Sequence, residues 1–563
     1  MATYMFDVLV IGGGHAGVEA ASAAARRGAR TGLLTFRSED IGMMSCNPSI
    51  GGVGKGHLVR ELDVFDGIMA RAADGAAIHR RMLNRSKGSA VQGPRVQADR
   101  SIYRRAVHGA VTRTGIEIII GEAAELLVEG SRISGVVLAD GSRIASASVI
   151  IATGTFLNAQ LFCGMSRIAG GRLDEQAAVP LARQLRELGL AEGRLKTGTP
   201  PRLDGRTIDW SRLAPQPSDR DDWSMSAISP AARLPELACA IARTNCETHA
   251  IIADNLDRSP LFAGAIEGRG PRYCPSIEDK IKRFGDRDGH QIFLEPEGLS
   301  TEVVYPGGIS TSLPADVQRA FVNSIAGLER CRVVRPGYAV EYEYADARKL
   351  RSTLEHRELP GLFLAGQVNG TTGYEEAAAQ GLVAGLNAAA LALSAGPVRF
   401  DRRTSYIGVM IDDLVLQGVT EPYRMMTARA EHRLALRADN ATSRLGEAAL
   451  ACGALSCERR SHTERHFEDR GTAAWNDTEE GRSDALYAPY IARQRREWTA
   501  IQRDSAIGLP AWLDFRAIPG LSNEAVERLE AARPETIDQA SRIQGITPAA
   551  LAALHVAASR RAA

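Results

Sequence analysis

The chain has 563 residues, enough for two to four domains and a large buried core. A formal net charge of +1 excludes a global field that would draw in nucleic acid, so any such binding must use local patches. The eight cysteines hold no C-x-x-C pair and no tight framework, which excludes a disulfide scaffold and predicts reduced thiols. No apolar run approaches the ~20 residues that span a bilayer, and the start, MATYMFDVLVIGGG, has neither a secretory h-region nor an arginine-rich leader. A cytoplasmic location without a membrane is expected.

Phe6 to Ile11 is a short apolar run of the kind buried on both faces of a parallel sheet. Gly12-Gly13-Gly14-His15-Ala16-Gly17 follows, then an alanine-rich helix over 18–27 and a second strand over 31–35. This is a βαβ unit with G-x-G-x-x-G at its first turn, where glycine allows close backbone approach and the helix N-terminus favours a pyrophosphate. The second strand ends in Thr35-Phe36, where an acidic residue would normally hold a ribose hydroxyl. Two strands are expected over 132–154, joined by a hairpin at Asp140-Gly141. A later strand, Leu362 to Gly366, runs into Gln367 and a helix expected over 368–387, returning to the first sheet. Three segments converging on one cofactor favour FAD over free NAD. The fold class expected is α/β: a Rossmann-like FAD-binding domain of the two-dinucleotide type, an inserted α+β domain and a C-terminal all-helical domain. The boundaries are 1–200 and 355–400 for the first, 201–354 for the insert and 401–563 for the helical part. Within the last, 457–485 reads as a polar surface loop, and short helices follow over 522–532, 537–544 and 548–559.

Gly51 to Gly56 is no phosphate loop, because Lys55 is followed by Gly56 rather than Ser or Thr. Cys452, Cys457, His462 and His466 give C-x4-C-x4-H-x3-H, a spacer too short for a zinc finger, so no metal is expected. Arg429, Arg433 and Arg437 stand at i, i+4 and i+8; a helix would put them on one face, either neutralised by Glu421, Glu431 and Asp439 or set against RNA phosphates. Cys46 sits in a loop rich in Asn, Pro and Gly behind the dinucleotide turn, so burial as a small hydrophobe and action as a nucleophile both stay open. Cys274 lies near Arg272, Lys280 and Lys282, a basic setting that favours thiolate.

Long strings spread over nearly the whole chain resemble one family. They include IGGGHAGVEAA, MSCNPSIGGVGKGHLVRELDVFDG, KGSAVQGPRVQADR, GRLKTGTPPRL, GPRYCPSIEDKIKRF, VYPGGISTSLP, LFLAGQVNGTTGYEEAAAQGL and EPYRMMTARAEHRLALRADNA. The family is that of the tRNA uridine 5-carboxymethylaminomethyl modification enzyme large subunit (MnmG/GidA, glucose-inhibited division protein A). The resemblance implies a cytoplasmic homodimeric flavoprotein that uses FAD and NADH. It also implies a GTPase partner (MnmE) in a heterotetramer, and modification of C5 of the tRNA wobble uridine with methylene-tetrahydrofolate as one-carbon donor. Position by position, it assigns Gly12, Gly13, Gly14, His15, Ala16 and Gly17 to the FAD pyrophosphate and Gln367 to the flavin. Ala124 and Ala178 fall at backbone contacts to FAD. The NADH segment is Gly270, Pro271, Arg272, Tyr273, Cys274, Pro275, Ser276, Ile277, Glu278, Asp279, Lys280, Ile281, Lys282, Arg283 and Phe284. Cys46 and Cys274 match the two cysteines implicated in activity, while Arg429, Arg433 and Arg437 are candidate tRNA contacts from their spacing alone. The chain is short for the family around 460–485, and His432 stands where tyrosine is usual. Alternatives are a folate/FAD-dependent tRNA uracil methyltransferase, which lacks the extension from about 401, a general NADH flavin oxidoreductase, and a non-catalytic RNA-binding protein on a vestigial FAD fold.

Overall fold

The computed structural model describes residues 4–559, apart from 174, 229–231, 273–274, 286, 506 and 511. Its first sheet is built on the expected βαβ unit. Strands β1 (Tyr4–Ile11) and β2 (Thr31–Thr35) run parallel, with Glu117–Ile120 beside β2 and Arg143–Ile151 on the other side of β1. The other edge of the long strand Arg143–Ile151 takes two further partners. Its first residues pair antiparallel with Arg132–Leu138, and its last three pair parallel with Leu362–Leu364. The hairpin at Asp140-Gly141 is present, with Asp140 accepting from the Ser142 N–H at 2.9 Å and Gly141 at positive φ.

Helix α1 (His15–Arg26) is so rich in alanine because another helix lies directly on it. That helix, Tyr374–Ala392, brings Gly381 against Ala16 and Gly385 against Ala20, where a Cβ would come within 2.1 and 2.2 Å of the carbonyl oxygens. Small residues on both sides let the backbones touch, and any side chain at those glycines would force the pair apart. The returning helix starts at Tyr374 rather than at 368 as the sequence predicts. Gly370 and Gly373 hold positive φ, which breaks the helical path before it.

Two further sheets carry the middle of the chain. One orders Ser166–Ala169, Gln160–Cys163, Tyr338–Ala345 and Ala191–Thr199, all antiparallel. The other has six antiparallel strands from Arg202–Asp204 to Val333–Arg335 and its own core, in which Ile277 and Ile281 pack with Ile252, Leu294 and Phe321. A small sheet of Ser49–Gly51, Ala77–Leu83 and Gly93–Ala98 carries the chain just after Cys46. The last part is helical, from Tyr406–Gln417 to Pro548–Ser559. The fold is thus α/β with a C-terminal helical region. Among the described residues no helix is long and apolar enough to cross a membrane.

Two expectations for the last part fail. The stretch 457–485 is not a loop: it contains the helix Cys457–Asp469, capped by the Ser456 hydroxyl, and the start of Glu479–Ser505. The polar pattern misleads because Arg459 is buried and ion-paired with Asp63 at 2.5 Å. The arginine series is not a helical stripe either. Thr427–Arg429 forms a single turn and 431–435 continues in hydrogen-bonded turns, with no regular helix running through the three arginines.

Candidate functional site

A cavity of about 550 Å³ opens where the glycine turn, the Cys46 loop and the start of Tyr374–Ala392 meet. Gly12, Gly13, Gly14, His15 and Ala16 line it, together with Thr35, Phe36, Cys46, Ala178, Gln367 and Tyr374. Gly17 lies beneath, where a Cβ would sit 1.7 Å from the Gly12 carbonyl oxygen, so no other residue allows this turn. Ala124 is not in the lining; its neighbour Ala123 is.

The turn is shaped for an anion. No side chain caps α1, whose N-cap is Gly14, and a Cβ on Gly14 would meet nothing within 4 Å. The first N–H groups of α1 are therefore open for a diphosphate, and the helix dipole adds to their attraction. His15 is buried, its Nε2 has no hydrogen-bond partner among the described residues, and burial holds its ring down to about 4, so it is neutral at physiological pH. These residues fit a dinucleotide.

Beside the turn sits a cluster the sequence did not reveal. Half-buried Lys55 places Nζ 2.9 Å from both Glu375 and Glu376, whose carboxylates are buried. Glu375 also accepts from the Gly51 N–H at 2.6 Å, and Glu376 from the Met425 N–H at 2.9 Å. Burial opposes the charge on Lys55, but the two carboxylates outweigh it and raise its pKa. Burial raises Glu376, while at Glu375 the attraction of Lys55 overcomes burial and lowers it. One cation thus joins the returning helix, the glycine loop and the segment after 420. The signal was present in GYEE, two acidic residues at a helix start, but their partner lies more than 300 residues away.

Cys46 is half-buried. Its Sγ lies 3.7 Å from the Tyr305 hydroxyl and 4.0 Å from the Gly198 carbonyl oxygen. Its carbonyl accepts from Arg202, which is buried over the Tyr305 ring and paired with Glu297 at 2.7 Å. Gln367 lies in the same cavity lining. The structure thus brings together the glycine turn, Ala178, Gln367 and Cys46.

None of the described residues of the segment 270–284 lines this cavity. Ser276 caps the helix Ile277–Phe284, which buries Ile277, Glu278 and Ile281 in the second core. Glu278 accepts from the Ser312 N–H, Lys280 donates to the Gly308 carbonyl, and Lys282 lies over the Phe262 ring. Gly270, Pro271, Arg272, Pro275, Asp279, Arg283 and Phe284 are likewise outside the lining. Tyr273 and Cys274 lie outside the described residues.

The three arginines have separate environments. Arg433 is exposed. Arg429 lies over the Tyr423 ring and 3.7 Å from Asp413. Arg437 is fully buried between Asp439 at 3.0 Å and Asp484 at 2.5 Å, so it is a structural ion pair and not an open contact. Among the described residues no group of three His, Cys, Asp or Glu is placed to hold a metal.

The glucose inhibited division protein A family matches residues 7–395, well over half of the chain. This chain belongs to that family. A second description, "tRNA modifying enzyme MnmG/GidA C-terminal helical bundle", matches residues 497–563. A Zymomonas mobilis protein named tRNA uridine 5-carboxymethylaminomethyl modification enzyme MnmG is 54% identical over 99% of this chain and 98% of its own. A Granulibacter bethesdensis protein of the same name is 47% identical over 98% and 96%. The solved structure of Aquifex aeolicus GidA superimposes with a TM-score of 0.90 at 42% identity, covering 98% of each chain. Within the family match fall all the cavity-lining residues except Arg424 and Met426.

Proposed function

We propose that this chain is a tRNA-modifying flavoenzyme that, with a GTPase partner, adds a carboxymethylaminomethyl or aminomethyl group to C5 of the wobble uridine. The observation that carries the reading is the placement of a thiol, Cys46, in one cavity with a dinucleotide turn. FAD in that cavity, reduced by NADH, would supply two-electron redox chemistry for transfer of the one-carbon unit of methylene-tetrahydrofolate. The chain's own part is to bind and orient. The open N–H groups of α1 hold the diphosphate, and neutral His15 adds a polar contact without charge. Gln367 offers an amide to the ring system. C5 of uracil is a weak nucleophile. Addition of the Cys46 thiolate at C6 places the electron pair on C5, which then bonds to the one-carbon electrophile. Loss of the C5 proton and expulsion of the thiolate from C6 restore the uracil double bond.

Cys274 is the second thiol in this proposal, with the segment 270–284 as the NADH site and Ala124 as a backbone contact. The domains are assigned as 1–200 with 355–400 for FAD, 201–354 for NADH and 401–563 for tRNA and the partner, with a homodimer in a heterotetramer in the cytoplasm. The match at 497–563 supports this reading over a uracil methyltransferase, which lacks that region. The experiment is mass spectrometry of wobble nucleosides from a strain deleted for this chain, with and without the gene restored. Loss and return of the 5-substituted uridine support the reading; an unchanged nucleoside profile rejects it.

A further inference from the structure

The backbone of the Cys46 loop hangs on one side chain. The Cys46 N–H donates to the Tyr374 hydroxyl at 2.6 Å, and the Asn47 N–H donates to the same oxygen at 3.1 Å. The hydroxyl in turn donates to the Asn47 carbonyl at 3.2 Å. A tyrosine hydroxyl has one proton and two lone pairs, and all three are engaged by two consecutive residues of the loop. The ring that carries it is stacked on His15, with centroids 4.5 Å and planes 23° apart. His15 is the first residue of α1, faces the cavity, and keeps a buried Nε2 without a hydrogen-bond partner among the described residues. Tyr374 itself opens the helix that locks onto α1 through Gly381 and Gly385, so its ring has little room to move.

We propose that Tyr374 is the positioning residue that sets the Cys46 thiol against the cavity, and that it takes its own place from the ring of His15. The proposal rests on the reading of Cys46 as the reacting thiol beside a bound dinucleotide. It goes further by naming a chain of contact, His15 to Tyr374 to Cys46, through which the dinucleotide turn and the thiol share one geometry. Tyr374 touches no reacting atom in this account; it acts through the loop.

Tyr374→Phe keeps the ring and the stack and removes only the hydroxyl. In the full-length protein, alkylation of Cys46 by iodoacetamide, followed by peptide mass spectrometry, is expected to change at least about fivefold with a displaced pH midpoint, because thiol reactivity follows its surroundings. Exposed Cys246 on the same molecules is expected to react at the unchanged rate. Flavin affinity is expected to stay within about threefold, while kcat for modification falls about tenfold at unchanged KM for tRNA, as misplacement of a reacting group predicts. His15→Ala, which removes the stack, is expected to alter Cys46 alkylation in the same direction, and His15→Phe to restore it. A Cys46 rate and pH profile in Tyr374→Phe identical to the wild type overturns the proposal, as does a His15→Ala protein that alkylates like the wild type. Alkylation needs neither flavin nor tRNA. A wild-type protein that binds no flavin therefore contradicts the functional reading, while the alkylation contrast still decides the clamp.

Discussion

The glycine turn and the arginine series after residue 428 carry equally regular patterns, yet only the first means what its spacing says. In the turn, spacing is the mechanism. Gly12 to Gly17 must follow one another because strand, turn and helix are contiguous, and the Gly17 Cβ position is filled by the Gly12 carbonyl. In the arginine series, spacing is incidental. Arg433 is exposed while Arg437, four residues on, is buried between Asp439 and Asp484. A pattern decided by local backbone can be read from sequence; one decided by a carboxylate as remote as Asp484 cannot.

Gly17→Val should give the largest effect, because a side chain there collides with the Gly12 carbonyl at the heart of the turn. Flavin absorbance in the purified protein is expected to fall to a few per cent of the wild type, a loss of about two orders of magnitude in affinity. A variant that retains full flavin would break the turn side of the comparison. Next is Arg437→Met, which leaves Asp439 without its cation and Asp484 with only Arg470, at 3.7 Å. It is expected to cost about 3 kcal/mol in urea unfolding. A mere loss of tRNA affinity at unchanged stability would restore the stripe.

A pH test sharpens the same region. Burial pushes Glu480 up to about 7, against the Ser443 hydroxyl that donates to it. The folded chain keeps a proton that the unfolded chain, with glutamate near 4.5, gives up. This group's contribution to stability therefore falls as pH rises from about 4.5 to about 7, and above 7 its full penalty is present. His466, held down to about 4 by burial, acts in the opposite sense between about 4 and 6.5. Glu480→Gln removes the first effect. Above pH 7 it is expected to be more stable than the wild type by on the order of 1–2 kcal/mol, with the difference vanishing toward pH 4.5. Equal stability at pH 8 would show that the carboxylate carries no penalty there. The smallest effect is assigned to Arg433→Gln. It should weaken tRNA binding about threefold, lower the salt slope by about 1 and leave urea unfolding unchanged.

Much of the first sheet was legible because buried parallel strands are short apolar runs between glycines, as at Phe6 to Ile11 and Leu362 to Gly366. Cys46 could be placed near the dinucleotide turn, since both lie within the first 50 residues. What held it there could not: Tyr374 and Arg202 are more than 150 residues away, Tyr374 acting through three hydrogen bonds to the loop backbone and Arg202 through one. The helix Cys457–Asp469 escaped for a related reason. Its residues look solvated, and the far-off carboxylates of Asp63 and Asp66 explain how Arg459 can be buried. Lys55 escaped because its motif failed as a phosphate loop, while its role is to hold Glu375 and Glu376.

The central claim is that one cavity holds a dinucleotide and, beside it, the thiol that reacts. Cys46→Ser tests it directly when flavin absorbance and the wobble nucleoside are measured on the same preparation. The account predicts flavin at the wild-type level and no 5-substituted uridine. Full modification by a flavin-loaded Cys46→Ser protein would contradict it.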